Sequence, residues 1–302
     1  MSVITRTVAR RNKLQFSRLM TLDDRYVQEQ IKSFLIEDGS DNDVTTNQAV
    51  SESLEVEALL IVEQECVIAG ASILRYCFPR DIHVQCCIED GDIGRANDTI
   101  AKIRGSAQTI LKRERVVLNL LQRLCGIATK TRKYVNIVEG YACKILDTRK
   151  MTPGLRMFEK YAVAVGGGHN HRLDLSSAIL IKDNHIISAG GIESAVKNIK
   201  SRAPEMPVEL EVDTIEQLVQ GLDLNVDGFL LDNMSLGLIQ EALEVVNGHL
   251  NGADVFVEAS GGITLDTVYK YAKTGVHAVS IGALTAKVKN IDLKLEINPI
   301  HR

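Results

Sequence analysis

The sequence predicts an α/β protein in two parts: a mixed α and β N-terminal region, then a second half built from repeated β–α units. Three observations carry this. Short apolar runs begin near residues 143, 178, 208, 228, 254 and 278, at intervals of 35, 30, 20, 26 and 24 residues, each followed by a helical stretch. That is the pattern of parallel strands joined by helical crossovers. The half spans about 160 residues, short of the ~250 of an eight-unit barrel. Six units fit either a reduced six-stranded α/β barrel or an open doubly wound sheet. Most of the runs end in polar residues, which are costly to bury without partners, so they point to one shared pocket. In both architectures ligands gather beyond the carboxyl ends of the strands.

The first elements follow from spacing. Residues 1–22 hold Arg6, Arg10, Arg11, Lys13 and Arg18 and no acid, the composition of an organelle presequence or of a plain basic extension. Val27, Ile31, Phe34 and Leu35 recur at helical spacing between Leu22 and Ile36. Glu37 to Asp43 reads as an acidic turn. Strand-like runs follow at 54–63, 66–75 and 82–89, then a turn at Asp90-Gly91-Asp92 and a strand over Thr99–Gly105. A helix starts near Leu111 and runs through Leu118, Leu121, Leu124 and Ala128 towards Val135.

Composition excludes several classes. The chain has 302 residues, 45% of them hydrophobic and 25% charged, so it can bury a core and is not disordered throughout. No window approaches ~18 uninterrupted apolar residues, so no transmembrane helix is expected. A net charge of −4 argues against a surface devoted to nucleic acid. Aromatics are 4% with no tryptophan, which further weakens a nucleic-acid-binding module, since stacking platforms need them. Six cysteines without a CxxC pair read as reduced thiols in a cytosolic-type compartment, and no secretory signal is visible.

The strand ends carry the chemistry. They are Asp147-Thr148-Arg149-Lys150, Lys182-Asp183-Asn184-His185, Asp232-Asn233, Ser260-Gly261-Gly262 and Gly282-Ala283, with Glu209, Glu211 and Asp213 on one face of the strand near 208. Residues 149–185 hold six basic residues, Arg149, Lys150, Arg156, Lys160, Arg172 and Lys182, against three acids. A cationic patch on an anionic chain fits a small polyanionic substrate. The plainer alternative, a solvated face, weighs most for Arg156 and Lys160, four apart on a predicted helix. Ser260-Gly261-Gly262 leads from a strand into a helix, and with Gly282-Ala283 on the next strand it forms a candidate phosphate site. His169-Asn170-His171 has zinc-ligand spacing, but Arg172 beside it favours anion binding by His171 and Arg172. Nothing matches a dinucleotide fingerprint, a Walker A loop or a nucleophile elbow.

The run 147–156 (Asp-Thr-Arg-Lys-Met-Thr-Pro-Gly-Leu-Arg), the Gly-Gly-Gly-His-Asn-His-Arg run at 166–172 and Leu180-Ile181-Lys182-Asp183-Asn184-His185 resemble the quinolinate phosphoribosyltransferase family. Glu114-Arg115, Leu118-Asn119, Gly126-Ile127-Ala128-Thr129, Leu231-Asp232-Asn233-Met234 and Glu258-Ala259-Ser260-Gly261-Gly262-Ile263 extend the match in order over roughly 25–297. Two departures stand out: Asn42-Asp43 where the family has Gly-Asp before its Thr-Thr, and Cys125 where serine is common.

The basic extension 1–22 lies outside the resemblance, which implies an α/β sandwich domain over 23–118 joined by the C-terminal tail 287–302, and an incomplete, about six-stranded α/β barrel over 119–286. The resemblance implies transfer of the phosphoribosyl group of phosphoribosyl pyrophosphate to quinolinate. The products are nicotinate mononucleotide, pyrophosphate and CO2, in NAD biosynthesis. Lys150, Lys182, Glu211 and Asp232 are then the catalytic set. Arg149, Arg172, His171 and Lys182 surround quinolinate, with Thr148, and with Arg115 lent by a neighbour in a homodimer or higher oligomer. Ser260, Gly261, Gly262, Gly282 and Ala283 hold the 5′-phosphate. Mg2+ is bound mainly through phosphoribosyl pyrophosphate, near Glu211 and Asp232. The expected location is cytoplasmic, or an organelle if residues 1–22 act as a presequence. Two enzyme alternatives share parts of this: an aldolase with Lys182 as Schiff-base lysine, and a nicotinate-specific transferase that does not decarboxylate.

Overall fold

A computed structural model describes residues 14–300. The first elements are α1 (Asp24–Glu37), α2 (Val44–Ala49), β1 (Glu55–Val62), β2 (Cys66–Val67), α3 (Leu74–Cys77), β3 (His83–Cys86), β4 (Ile93–Gly94), β5 (Thr99–Ser106) and α4 (Ala107–Ile137). Then come β6 (Lys144–Leu146), α5 (Arg156–Val165), β7 (Ile179–Ile181), α6 (Asp183–Ala189), α7 (Ile192–Arg202), β8 (Val208–Val212), α8 (Ile215–Asp223) and β9 (Gly228–Asp232). The last are α9 (Leu236–Gly248), β10 (Phe256–Ser260), α10 (Val268–Thr274), β11 (Ala278–Ser280), α11 (Ala283–Ala286) and β12 (Leu293–Pro299). No helix among the described residues is long and apolar enough to cross a membrane.

The chain divides into two compact units. One holds residues 18–132, 151–167 and 283–300, the other 14–17, 133–150 and 168–282. The sequence placed a boundary at 118/119 and the units part at 132/133; both points lie within the single helix α4. Residues 151–167 join the first unit because α5 buries its apolar face there: the Phe158 ring lies 5.5 Å from Tyr26 and 6.2 Å from Phe34.

The first unit is built on an antiparallel sheet of order β12-β1-β5-β3. In β1, Val56, Ala58, Leu60 and Val62 are buried, the period-two pattern of a strand with one face in a core. β12 pairs along β1 from Leu293 to Pro299. The expected strand over 66–75 is corrected: only Cys66–Val67 is extended, followed by a 3-10 turn over Ala71–Ile73 and by α3. Gly70 turns the chain at φ 108°. The Asp90 carboxylate then accepts from the N–H groups of Gly70 (2.6 Å), Ala71 (2.9 Å) and Ser72 (3.0 Å), as a helix N-cap does from a distance. The acidic turn at 37–43 runs into α2, which the sequence reading missed; Asp43 caps it by accepting from Thr46 N–H (3.0 Å).

The second unit carries one parallel sheet of order β6-β11-β10-β9-β8-β7. All six strands expected in the second half are present. β6 and β7 are the two edges of the sheet and do not pair with each other, so the barrel is incomplete. Of the basic extension, residues 1–13 lie outside the described residues. Its last part packs: Phe16 is buried with Leu146 and Ala278, its ring 5.0 Å from Phe256, and Leu14 lies against them.

Candidate functional site

The second unit has a cavity of about 360 Å3 at the carboxyl ends of its strands, where the repeated β–α pattern puts it. Thr148, Arg149 and Lys150 reach it from the end of β6, Lys182 from the end of β7, Glu211 from β8, Asp232 from β9 and Ser260 from β10. His171 and Arg172 enter from the loop before β7. Nine residues chosen from sequence thus line one cavity. Gly282 borders it, since a Cβ there would lie 3.0 Å from Lys150 Cδ and 3.5 Å from Thr148 Oγ1.

Each side chain is held locally. The β6 strand ends in Asp147, fully buried, whose carboxylate accepts from His171 N–H (2.8 Å) and Asn170 Nδ2 (2.7 Å). Asp147 is therefore a strut that brings His171 beside Arg149. Thr148 Oγ1 accepts from Lys150 N–H (3.0 Å), tightening that turn. Lys182 caps α6: its N–H donates to His185 Nδ1 (3.0 Å), and its ammonium pairs with Glu211. Asp232 accepts from Asn233 Nδ2 (2.7 Å). Gly261 and Gly262 adopt φ of 101° and 62°. Both angles favour glycine, and nothing lies within 4 Å of where a Gly262 Cβ would be.

The charge is unanswered at one point. Arg149 Nε is buried and has no hydrogen-bond partner. Arg172 donates from Nη1 to Ala178 O (3.1 Å). Burial, and then the charge of Arg149, push the Arg172 guanidinium below its ordinary range. Two guanidiniums that repel one another beside a cavity form a receptor for an anion with more than one negative charge.

Beneath the cavity His171 meets two acids, Glu209 and Glu258, that were not among the site residues expected from sequence. Glu209 and Glu258 are almost fully buried, and His171 Nε2 faces Glu209 Oε2 at 3.3 Å and Glu258 Oε1 at 3.5 Å. Burial opposes the charged imidazole, but the two carboxylates outweigh it and raise the pKa of His171 to about 10. Burial and the Glu209 charge raise Glu258 as well. Arg172 N–H donates to His171 Nδ1 (2.8 Å), a bond only a ring unprotonated at Nδ1 accepts. The extra proton therefore belongs to His171, Glu209 and Glu258 as a group. Ser280 Oγ donates to Glu258 Oε1 (3.2 Å). The alternation of Glu209 with Glu211 along β8 was the available signal; Glu258 and Ser280 needed the register of three strands. His171 thus lines the cavity while its Nε2 is turned to carboxylates.

Some expected residues are not gathered here. Arg115 stands on α4 and Ala283 opens α11, both in the first unit. Arg156 and Lys160 also belong to that unit, and Lys160 is fully buried rather than solvated.

The models of the quinolinate phosphoribosyl transferase N-terminal and C-terminal domains match residues 43–125 and 127–296. A probable nicotinate-nucleotide pyrophosphorylase (carboxylating) of Bacillus subtilis is 40% identical over 271 residues, 88% of this chain and 92% of that protein. The chloroplastic nicotinate-nucleotide pyrophosphorylase (carboxylating) of Arabidopsis thaliana is 38% identical over 89% of this chain and 82% of its own length. The crystal structure of nicotinate-nucleotide pyrophosphorylase from Ehrlichia chaffeensis aligns with a TM-score of 0.84 at 38% identity, covering 89% of this chain and 98% of that one. With both domain models matched and such relatives along most of its length, the chain belongs to the quinolinate phosphoribosyltransferase family.

Proposed function

We propose that the cavity joins quinolinate to phosphoribosyl pyrophosphate, releasing pyrophosphate and CO2 and leaving nicotinate mononucleotide. The observation that carries this is the unanswered charge of Arg149 beside Arg172. Quinolinate presents two adjacent carboxylates, and guanidinium forks bind carboxylates bidentately. Thr148, His171 and Lys182 complete the receptor around its ring.

Ser260, Gly261, Gly262 and Gly282 hold the 5′-phosphate, where small residues let backbone N–H groups approach. Glu211 and Asp232 face the ribose hydroxyls. As pyrophosphate departs, C1 of the ribose gains positive character, which these two carboxylates stabilise while Lys150 and Lys182 neutralise the leaving oxygens. The ring nitrogen then attacks C1. The resulting quaternary nitrogen stabilises the electron pair left on the adjacent ring carbon as the bond to its carboxylate breaks and CO2 leaves, and a proton from water then takes the place of CO2 on that carbon. Positioning and electrostatics suffice, with no protein nucleophile.

The donor set fits magnesium: Glu211 and Asp232 are hard oxygen ligands on adjacent strands. When bound, the ion would neutralise charge on the pyrophosphate. Arg115 is proposed to reach quinolinate from a neighbouring subunit of a homodimer, a reading that rests on the family match. Inactive Arg115→Ala and Lys182→Ala chains, refolded together, should then recover roughly a quarter of wild-type activity through one intact site per heterodimer. No recovery despite demonstrated exchange would place Arg115 in its own chain's architecture.

The deciding assay measures nicotinate mononucleotide and CO2 from quinolinate, with nicotinate as control. Strong preference for quinolinate is expected. Comparable kcat/KM for the two acids would overturn the dianion reading.

A further inference from the structure

Asn233 follows β9, one residue beyond Asp232. It is one of three non-glycine residues with positive φ among the described residues, at 54°. That backbone is strained for most side chains, and asparagine tolerates it best. Such strain persists where the surroundings over-determine it.

Here three contacts do so. The Asn233 N–H donates to Ser260 O (2.8 Å), tying the end of β9 to the end of β10, where Asp232 and Ser260 already pair in register. Asn233 Nδ2 donates to Asp232 Oδ2 (2.7 Å), so that carboxylate is held by its own neighbour. Finally, Asn233 Oδ1 occupies the space that a Cβ on Gly261 would take: the added atom would lie 2.1 Å from it. One side chain thus touches both the Asp232 carboxylate and the glycine turn, and nothing in the reaction needs it to touch substrate.

We propose that Asn233 is a positioning residue that fixes the distance between the Asp232 carboxylate and the Ser260–Gly261 turn. These are the two features that grip one ribose phosphate at its hydroxyl and phosphate ends. The inference rests on the phosphoribosyl pyrophosphate reading of the cavity. Its consequence is selective: Asn233 acts on the phosphoribosyl half of the site and not on the dicarboxylate half formed by Arg149 and Arg172.

Two substitutions test it. Asn233→Gly keeps the positive φ without strain and removes the amide. Asn233→Asp keeps size and turn preference but sets a second carboxylate against Asp232, replacing a donor with an acceptor. Steady-state kinetics would be measured for each substrate with the other saturating, beside thermal midpoints. Losing one charge-assisted hydrogen bond should raise KM for phosphoribosyl pyrophosphate about tenfold in Asn233→Gly, and more in Asn233→Asp. KM for quinolinate should stay within about twofold, the scale of unconnected sites. In an Asp232→Ala background, Asn233→Gly should add less than about threefold, because the carboxylate it orients is gone.

Equal shifts in both KM values, or none in the phosphoribosyl pyrophosphate KM, overturn the proposal. Should Asn233→Gly not fold, the near-isosteric Asn233→Asp decides by the same split. A wild-type enzyme that does not use phosphoribosyl pyrophosphate at all overturns the underlying reading instead, and is seen before any variant is compared.

Discussion

Arg123 and Arg149 carry the same guanidinium in the two units and meet opposite fates. Arg123, in the antiparallel unit, is consumed. Its Nε and Nη2 donate to Glu159 Oε1 (2.8 and 2.6 Å), and Nη2 also reaches Thr152 Oγ1 (2.8 Å) and Thr285 O (3.2 Å). Glu159 is fully buried, and its other oxygen accepts from Thr152 N–H (3.3 Å). Arg149 has a buried Nε with no acceptor. Arg123 also borders a cavity of about 680 Å3 within its own unit, larger than the one Arg149 lines. Size therefore does not locate the chemistry. A charge whose hydrogen bonds are complete builds architecture; a charge left incomplete can bind a ligand.

The comparison breaks most visibly if each arginine is removed. Arg123→Ala strands the buried Glu159 carboxylate, and deleting one partner of a buried ion pair costs about 3–5 kcal/mol of folding stability. Urea denaturation should show that loss. An unchanged midpoint would mean that Glu159 finds other partners and that Arg123 is not architectural.

Arg149→Lys should do the reverse. Charge is kept but the planar fork is lost, at a cost of about 2–4 kcal/mol in transition-state stabilisation for one bidentate contact in a dry pocket. Folding stability should hold, since no protein partner of Nε is given up. A variant within about threefold of wild type in kcat/KM, far below the loss of a bidentate contact, would show that the fork goes unused.

What the sequence could show follows the same division. The six parallel strands were legible because each apolar run is bounded by polar ends, and Arg149, Lys182 and Asp232 were legible as those ends. The fate of a charge was not. Arg156 and Lys160 lie within one cationic stretch with Arg149, yet α5 carries them into the other unit, and Lys160 is fully buried. The false strand at 66–75 has a related cause. Its break is enforced by Asp90, about 20 residues downstream, whose carboxylate gathers three N–H groups. Glu209, Glu258 and Ser280 meet only because β8, β10 and β11 come into one sheet.

The cluster of His171, Glu209 and Glu258 shares features of both arginines, with charge answered from within but beside the open cavity. It yields the smallest of the three expected effects. A raised folded pKa means that the folded cluster keeps a proton which the unfolded chain releases near the ordinary histidine value of about 6.5. The stability this contributes is fully present below about 6.5 and is lost as pH rises through about 10, the value to which the two carboxylates raise His171. Between pH 7 and 8 the loss should be about 1 kcal/mol. Glu258→Gln removes one of the two carboxylates that retain the proton and keeps the shape, so the slope between pH 7 and 9 should flatten. Thermal midpoints across that range, for both proteins, check it. Parallel curves would mean that the Glu258 carboxylate does not help to retain the proton.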